Sequence, residues 1–178
     1  MKHIFFFDLD GTLTDSGEGI LNCVRHALDL QNWPHPSDEN LRRFIGPPLI
    51  DSFMDIAGMN KQQAQQAVRD YRARYSTGGL FENRVYDGIP DVLKALNDAG
   101  KRCFMVTSKP EAFSVRIADK FGLTPYLESI CGATLDGKMD SKEQIVELAL
   151  QRAGNPDPSD VEMIGDRLFD VEGSRKHG

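Results

Sequence analysis

Asp8 and Asp10 stand one residue apart directly behind the apolar run His3-Ile4-Phe5-Phe6-Phe7, and Gly11-Thr12 turns the chain away after them. Such a run reads as a buried parallel strand, and open α/β sheets bind ligands at the carboxyl ends of their strands. Two carboxylates at that place repel, and burial raises their cost unless a cation or a shared proton compensates. The pair therefore points to a metal-assisted site in which one acid serves as nucleophile or base. Three further polar clusters end candidate strands: Thr107-Ser108-Lys109, the Gly132–Lys142 region, and Asp166 with Asp170. On a parallel sheet all four face the same edge. Acids suit Mg2+, which prefers carboxylate oxygens and retains waters. Hydroxyls, lysine and backbone N–H groups suit phosphate oxygens.

That inventory matches the needs of phosphomonoester hydrolysis through a covalent intermediate. A nucleophile must sit in line with phosphorus, and a cation must screen it from the anionic phosphate. A second acid must protonate the leaving alcohol and later activate water. Asp8 and Asp10, two positions apart on one strand end, can divide these roles.

The elements that must position these residues are legible from periodicity. After Thr12 the pattern is helical, with Ile20, Leu21, Val24, Ala27 and Leu28 at helix spacing. Pro34-His35-Pro36 breaks the chain, and Ser37 caps a short helix to about Phe44. Pro48 opens a helix to about Ala57, and Gly58 ends it. Asn60 with Gln63 resembles a capping box at the head of a long helix that ends at Gly78-Gly79. No strand signal is evident between about 14 and 80, so this block reads as a helical bundle. From Tyr86 the character changes. Helices are expected at Ile89–Ala99, Glu111–Phe121, Lys142–Ala153 and Val171–Gly178, and strands at Arg102–Val106, Ser129–Gly132 and Val161–Ile164. This alternation predicts an α/β fold, a doubly wound parallel sheet with an inserted all-α cap domain. The expected division is a core of 1–14 and 84–178 and a cap of 15–83. A doubly wound sheet is expected to continue with another βα unit, so the C-terminus reads as truncated.

Composition excludes several function classes. The 178 residues carry 21 Lys and Arg against 27 Asp and Glu, a net charge of −6 with the signs interspersed. No basic stripe invites nucleic acid. Three widely spaced cysteines, Cys23, Cys103 and Cys131, form no CxxC pair and read as reduced thiols of a cytoplasmic protein. The N-terminal apolar stretch is too short for a signal peptide, and no segment is long enough to span a membrane.

Phe7-Asp8-Leu9-Asp10-Gly11-Thr12-Leu13 resembles the first motif of the haloacid dehalogenase superfamily, Thr107 its second-motif hydroxyl, and Gly165-Asp166-Arg167-Leu168-Phe169-Asp170 its fourth motif. Phe44-Ile45-Gly46-Pro47-Pro48-Leu49 and Ser141-Lys142 resemble the phosphoglycolate phosphatase-like and bacterial 5'-nucleotidase-like branch. The resemblance implies a Mg2+-dependent phosphatase acting on a small organic phosphate, as a monomer or weak homodimer. It implies Asp8 as the nucleophile and a Mg2+ ligand, and Asp10 as general acid and base with its backbone carbonyl on the metal. Asp166 and Asp170 complete the implied metal set, and Thr107 with the Ser108 N–H would hold phosphate. For the third-motif lysine Lys142 is preferred over Lys138, with Lys109 as a second cation facing phosphate or cap.

Other readings stay open beside these. Thr107-Ser108 can cap the next helix, Asp170 can favour a helix N-terminus, and Lys138 can be a solvated loop charge. Arg42 and Arg43 read as a solvated helix face. A phosphomutase shares the paired aspartates. A non-catalytic phosphate-binding protein of this fold would ordinarily have lost one acid, and here all are present.

Overall fold

The computed structural model describes residues 2–178, which fall into two compact units, one of residues 2–15 and 84–178 and one of residues 16–83. In the first unit the strands are β1 (Ile4–Phe7), β2 (Thr14–Asp15), β3 (Arg84–Val85), β4 (Arg102–Pro110), β5 (Ser129–Ala133) and β6 (Val161–Ile164). Helices α1 (Gly17–Leu30), α2 (Asp38–Arg42), α3 (Leu49–Asp55) and α4 (Lys61–Thr77) make up the second unit. The first unit's helices are α5 (Ile89–Asp98), α6 (Glu111–Lys120), α7 (Lys142–Arg152) and α8 (Leu168–Arg175). The main sheet runs β5-β4-β1-β6, every pair parallel, with helices flanking it, as the alternation predicts.

Strand order explains the site's location. From β1 the chain reaches β4 on one side and β6 on the other, so β1 lies at the switch point where open sheets leave a crevice. Phe6 and Phe104 are register partners and meet edge to face at 5.5 Å. With Ile4, Val106, Cys131, Ile145, Val146 and Ala149 they form one core cluster. Phe5 and Phe7, on the alternate positions, stack with each other. Phe104→Ala is expected to destabilise the protein by about 3–5 kcal/mol, read by urea unfolding, because a fully buried ring leaves a cavity. A change under about 1 kcal/mol would contradict that core assignment.

The helical unit is held by its own apolar stripes. Phe44 and Phe53 meet at 5.1 Å, and Tyr71 stacks on Tyr75 one turn away. Asn60 and Gln63 exchange both capping-box hydrogen bonds at 3.0 Å, which fixes the start of α4. Near its C-terminal end Arg74 donates to Glu82 at 2.7 Å, and Asn22 of α1 donates to the same carboxylate at 2.7 Å.

Three elements differ from the sequence reading. Thr14–Asp15 pairs antiparallel with Arg84–Val85 in a two-residue ribbon, too short to leave a period in the sequence. Strand β4 continues past Val106 to Pro110 through residues that read as a polar turn. The last helix spans Leu168–Arg175 rather than Val171–Gly178, because Asp170 Oδ2 accepts the Arg167 N–H at 3.0 Å and caps a start three residues earlier.

Candidate active site

The tip of β1 is shaped by a tight turn. The Asp8 N–H donates to the Ile164 carbonyl at 2.9 Å, which ties this strand end to that of β6. Beyond it the Leu9 carbonyl accepts the N–H groups of Leu13 and Thr14 at 3.0 and 2.9 Å, and the Gly11 N–H donates to Thr14 at 2.8 Å. Gly11 has φ +85°, and a Cβ there would meet Asp166 Oδ2 at 2.4 Å. The glycine is needed for both its backbone angle and the close approach of Asp166. Gly11→Ala is therefore expected to destabilise by about 1–3 kcal/mol in denaturant unfolding, and a neutral effect would exclude this packing.

Around that turn the acids converge. Asp8, Asp166 and Asp170 each present a carboxylate oxygen, all within 4.8 Å of one another. Lys142, the first residue of α7, follows Ser141, which with Gln144 forms a capping box that fixes the start of this helix. The Lys142 ammonium lies 2.8 Å from Asp8 Oδ1, 2.6 Å from Asp170 Oδ1 and 2.9 Å from the Val106 carbonyl, with its side chain 5% exposed. Gly173 clears its stem, since a Cβ there would meet Lys142 Cγ at 2.8 Å. Gly165 does the same for Asp170, whose Oδ2 would lie 2.2 Å from an added Cβ. Asp166 is exposed and pairs with Arg167 at 3.1 Å.

Burial pushes the Asp8 carboxyl up to about 6, outweighing the lowering by Lys142, and the Asp170 and Asp10 charges add to the rise. One buried ammonium thus sits among an excess of carboxylates. This all-oxygen donor set, with glycines clearing the backbone beside two of its acids, fits a hard divalent cation.

The end of β4 brings the remaining candidates. Thr107 is buried, and its Oγ1 accepts the Lys109 N–H at 3.2 Å, which leaves the hydroxyl proton to donate elsewhere. Ser108 is exposed. The Lys109 ammonium lies 2.8 Å from Asp10 Oδ2, whereas Asp10 Oδ1 is buried and has no hydrogen-bond partner among the described residues. Lys138 pairs with Asp136 on the surface and stands outside the cluster. Tyr86 belongs to none of the sequence motifs. Burial pushes its phenol up, and the nearby Asp15 and Asp166 charges push it further. Its backbone N–H donates to Leu13 at 3.1 Å, a long-range contact with no local sequence signature.

No helix among the described residues is long and apolar enough to cross a membrane. The family model described as haloacid dehalogenase-like hydrolase matches residues 5–178. A 5'-nucleotidase of Pseudomonas aeruginosa is 41% identical over 172 residues, covering 97% of this chain and 77% of its own length. The tyrosine-protein kinase PtkA of Mycobacterium tuberculosis is 39% identical over 175 residues, and the match spans 98% of this chain and 59% of that protein. Among solved structures, a predicted phosphatase from Clostridium acetobutylicum superposes with a TM-score of 0.91 at 40% identity, covering 99% of this chain and 81% of its own.

Proposed function

Since the chain belongs to the haloacid dehalogenase-like hydrolase family, we propose that it is a Mg2+-dependent phosphatase hydrolysing small organic phosphomonoesters through an aspartyl phosphate on Asp8. The observation that carries this reading is the Lys142 ammonium between Asp8 and Asp170, with Asp166 in the same cluster, at the carboxyl ends of β1 and β6. Asp8, Asp166, Asp170 and the Asp10 backbone carbonyl are the proposed holders of Mg2+, which when bound supplies positive charge at the phosphate and the attacking carboxylate.

The protein's own residues carry the steps. A carboxylate oxygen of Asp8 attacks phosphorus, the bond from phosphorus to the ester oxygen breaks, and protonated Asp10 gives its proton to the departing alcohol. Asp10, now ionised, takes a proton from water as that water attacks phosphorus. The bond to Asp8 then breaks, and inorganic phosphate leaves. Lys142 holds Asp8 in place and offsets charge on the phosphate, while the Thr107 hydroxyl and the Ser108 N–H bind its oxygens. Lys109 adds positive charge behind Asp10. The helical unit of residues 16–83 is the proposed cap, selecting the leaving group.

The 41% identity to a 5'-nucleotidase makes nucleoside monophosphates the first substrates to test. Phosphoglycolate and sugar phosphates follow. Release of phosphate is expected from an aryl phosphate and from at least one of these classes with Mg2+, and none with a chelator. Activity that survives chelation would overturn the metal role. Appearance of a new phosphorylated sugar in place of inorganic phosphate would identify a mutase. Mg2+ at about a hundred times its Kd is expected to stabilise the fold by about 2.7 kcal/mol, seen as a rise in Tm of roughly 5–10 °C. Asp166→Ala should lose most of that rise.

A further inference from the structure

We infer that Lys109 is a positioning residue that holds Asp10 as the proton donor to the leaving group, and that an irregularity in β4 exists to aim it there. The inference rests on the reading of Asp8 and Asp10 proposed above.

The ladder between β4 and β5 shifts at this point. Thr107 pairs with Gly132 and Pro110 with Ala133, so β4 advances three residues while β5 advances one. The extra residues are Ser108 and Lys109. Bulges of this sort bend a strand and re-aim side chains, and they recur beside active sites. Here the irregularity takes the Lys109 N–H to the Thr107 hydroxyl at 3.2 Å.

Neighbouring residues hold the bulge in place. A Cβ on Gly132 would meet the Lys109 carbonyl oxygen at 2.6 Å and the Glu111 Cα and N at 2.7 Å, so only glycine lets β5 lie this close. Glu111 Oε2 accepts the Gly132 N–H at 3.3 Å. Arg152 of α7 donates to the Ile130 carbonyl at 2.6 Å and pairs with Glu111 at 3.2 Å. The backbone of Lys109 is thus fixed from both sides, at a site where a solvated lysine would need no such bracing.

The side chain so placed is 6% exposed and lies 2.8 Å from Asp10 Oδ2. With Oδ2 engaged by an ammonium, a proton on Asp10 belongs on Oδ1, the buried atom that has no hydrogen-bond partner among the described residues. Lys109 thereby fixes the carboxyl plane and selects which oxygen carries the proton. The effect is specific to the leaving group. An alcohol of high pKa needs that proton as it departs, and a nitrophenolate does not.

The experiment compares kcat/KM, which reports transfer to Asp8 alone, for p-nitrophenyl phosphate and for an alkyl phosphate, in wild type and in Lys109→Met. The expected result is a loss of about 10²-fold or more for the alkyl ester and of less than about fivefold for the nitrophenyl ester. Lys109→Arg should recover part of the alkyl activity. An equal loss on both esters would make Lys109 a phosphate-binding charge and overturn the inference, as would no loss on either. Should Lys109→Met fail to fold, as checked by thermal unfolding, Lys109→Gln carries the same comparison. A wild-type protein that hydrolyses neither ester overturns the proposed function itself, a result distinct from all of these.

Discussion

Asp8→Asn is expected to lower phosphate release by roughly 10⁴-fold or more while leaving the fold intact or more stable. The catalytic half of this result follows from chemistry. An amide is not a nucleophile toward a phosphate ester, and an aspartyl phosphate cannot form on it. The stability half follows from burial. Asp8 is 7% exposed, and its carboxyl is pushed up to about 6 from an ordinary 3.8. The native state therefore holds a proton that the unfolded chain has given up between about pH 4 and 6. Metal-free wild type loses stability as pH rises through that window, by at most about 3 kcal/mol. Asparagine carries no such charge, so the variant should gain up to that amount at pH 7 and nothing at pH 3. Phosphate-release assays and urea unfolding at both pH values check the two halves together. A variant that retains turnover removes Asp8 as the nucleophile. A variant that is inactive and markedly less stable at pH 7 would mean the loss is structural.

What the sequence made legible divides along physical lines. The parallel sheet was readable because β1 is a short apolar run ended by Asp8 and β6 a mostly apolar one ended by Gly165-Asp166, and helix starts were readable because caps such as Ser37 act within four residues. The capping pair Asn60 and Gln63 was readable for the same reason. The convergence of Lys142 on Asp8 was open to rivals. It joins residues 134 positions apart, and the resemblance that named a lysine left the choice among three. Lys138 lies only four residues earlier yet pairs with Asp136, and the sequence places Lys142 at a helix start without saying that this start faces the acids. Least visible was the contact of Lys109 with Asp10. It depends on a ladder irregularity and on the absence of a side chain at Gly132, neither of which has a periodic signature. The glycines that clear Asp166 and Asp170 were visible as motif letters, but their reason is steric and appears only in three dimensions.

Lys142→Met is expected to destabilise the first unit by about 3–5 kcal/mol at pH 7, and to reduce turnover at least 10²-fold. The ammonium is 5% exposed and lies within 2.8 Å of Asp8 and 2.6 Å of Asp170. Removing it leaves two buried carboxylates facing each other and the Val106 carbonyl without its donor. Methionine keeps the volume of the stem, so the loss reports charge rather than a cavity. Two conditions should restore stability without restoring activity. Acidification to about pH 4 protonates Asp8 and removes the repulsion, and saturating Mg2+ replaces the missing positive charge. Lys142→Arg should not rescue turnover. A guanidinium is planar and bulkier than an ammonium, and the passage beside Gly173 leaves 2.8 Å between a notional Cβ and the lysine stem. Urea unfolding at pH 4 and 7, with and without Mg2+, separates the outcomes. If the methionine variant is as stable as wild type in metal-free buffer at pH 7, Lys142 is not the countercharge of the acid cluster. If it is destabilised equally under all four conditions, its role is packing, and the electrostatic account of the site fails.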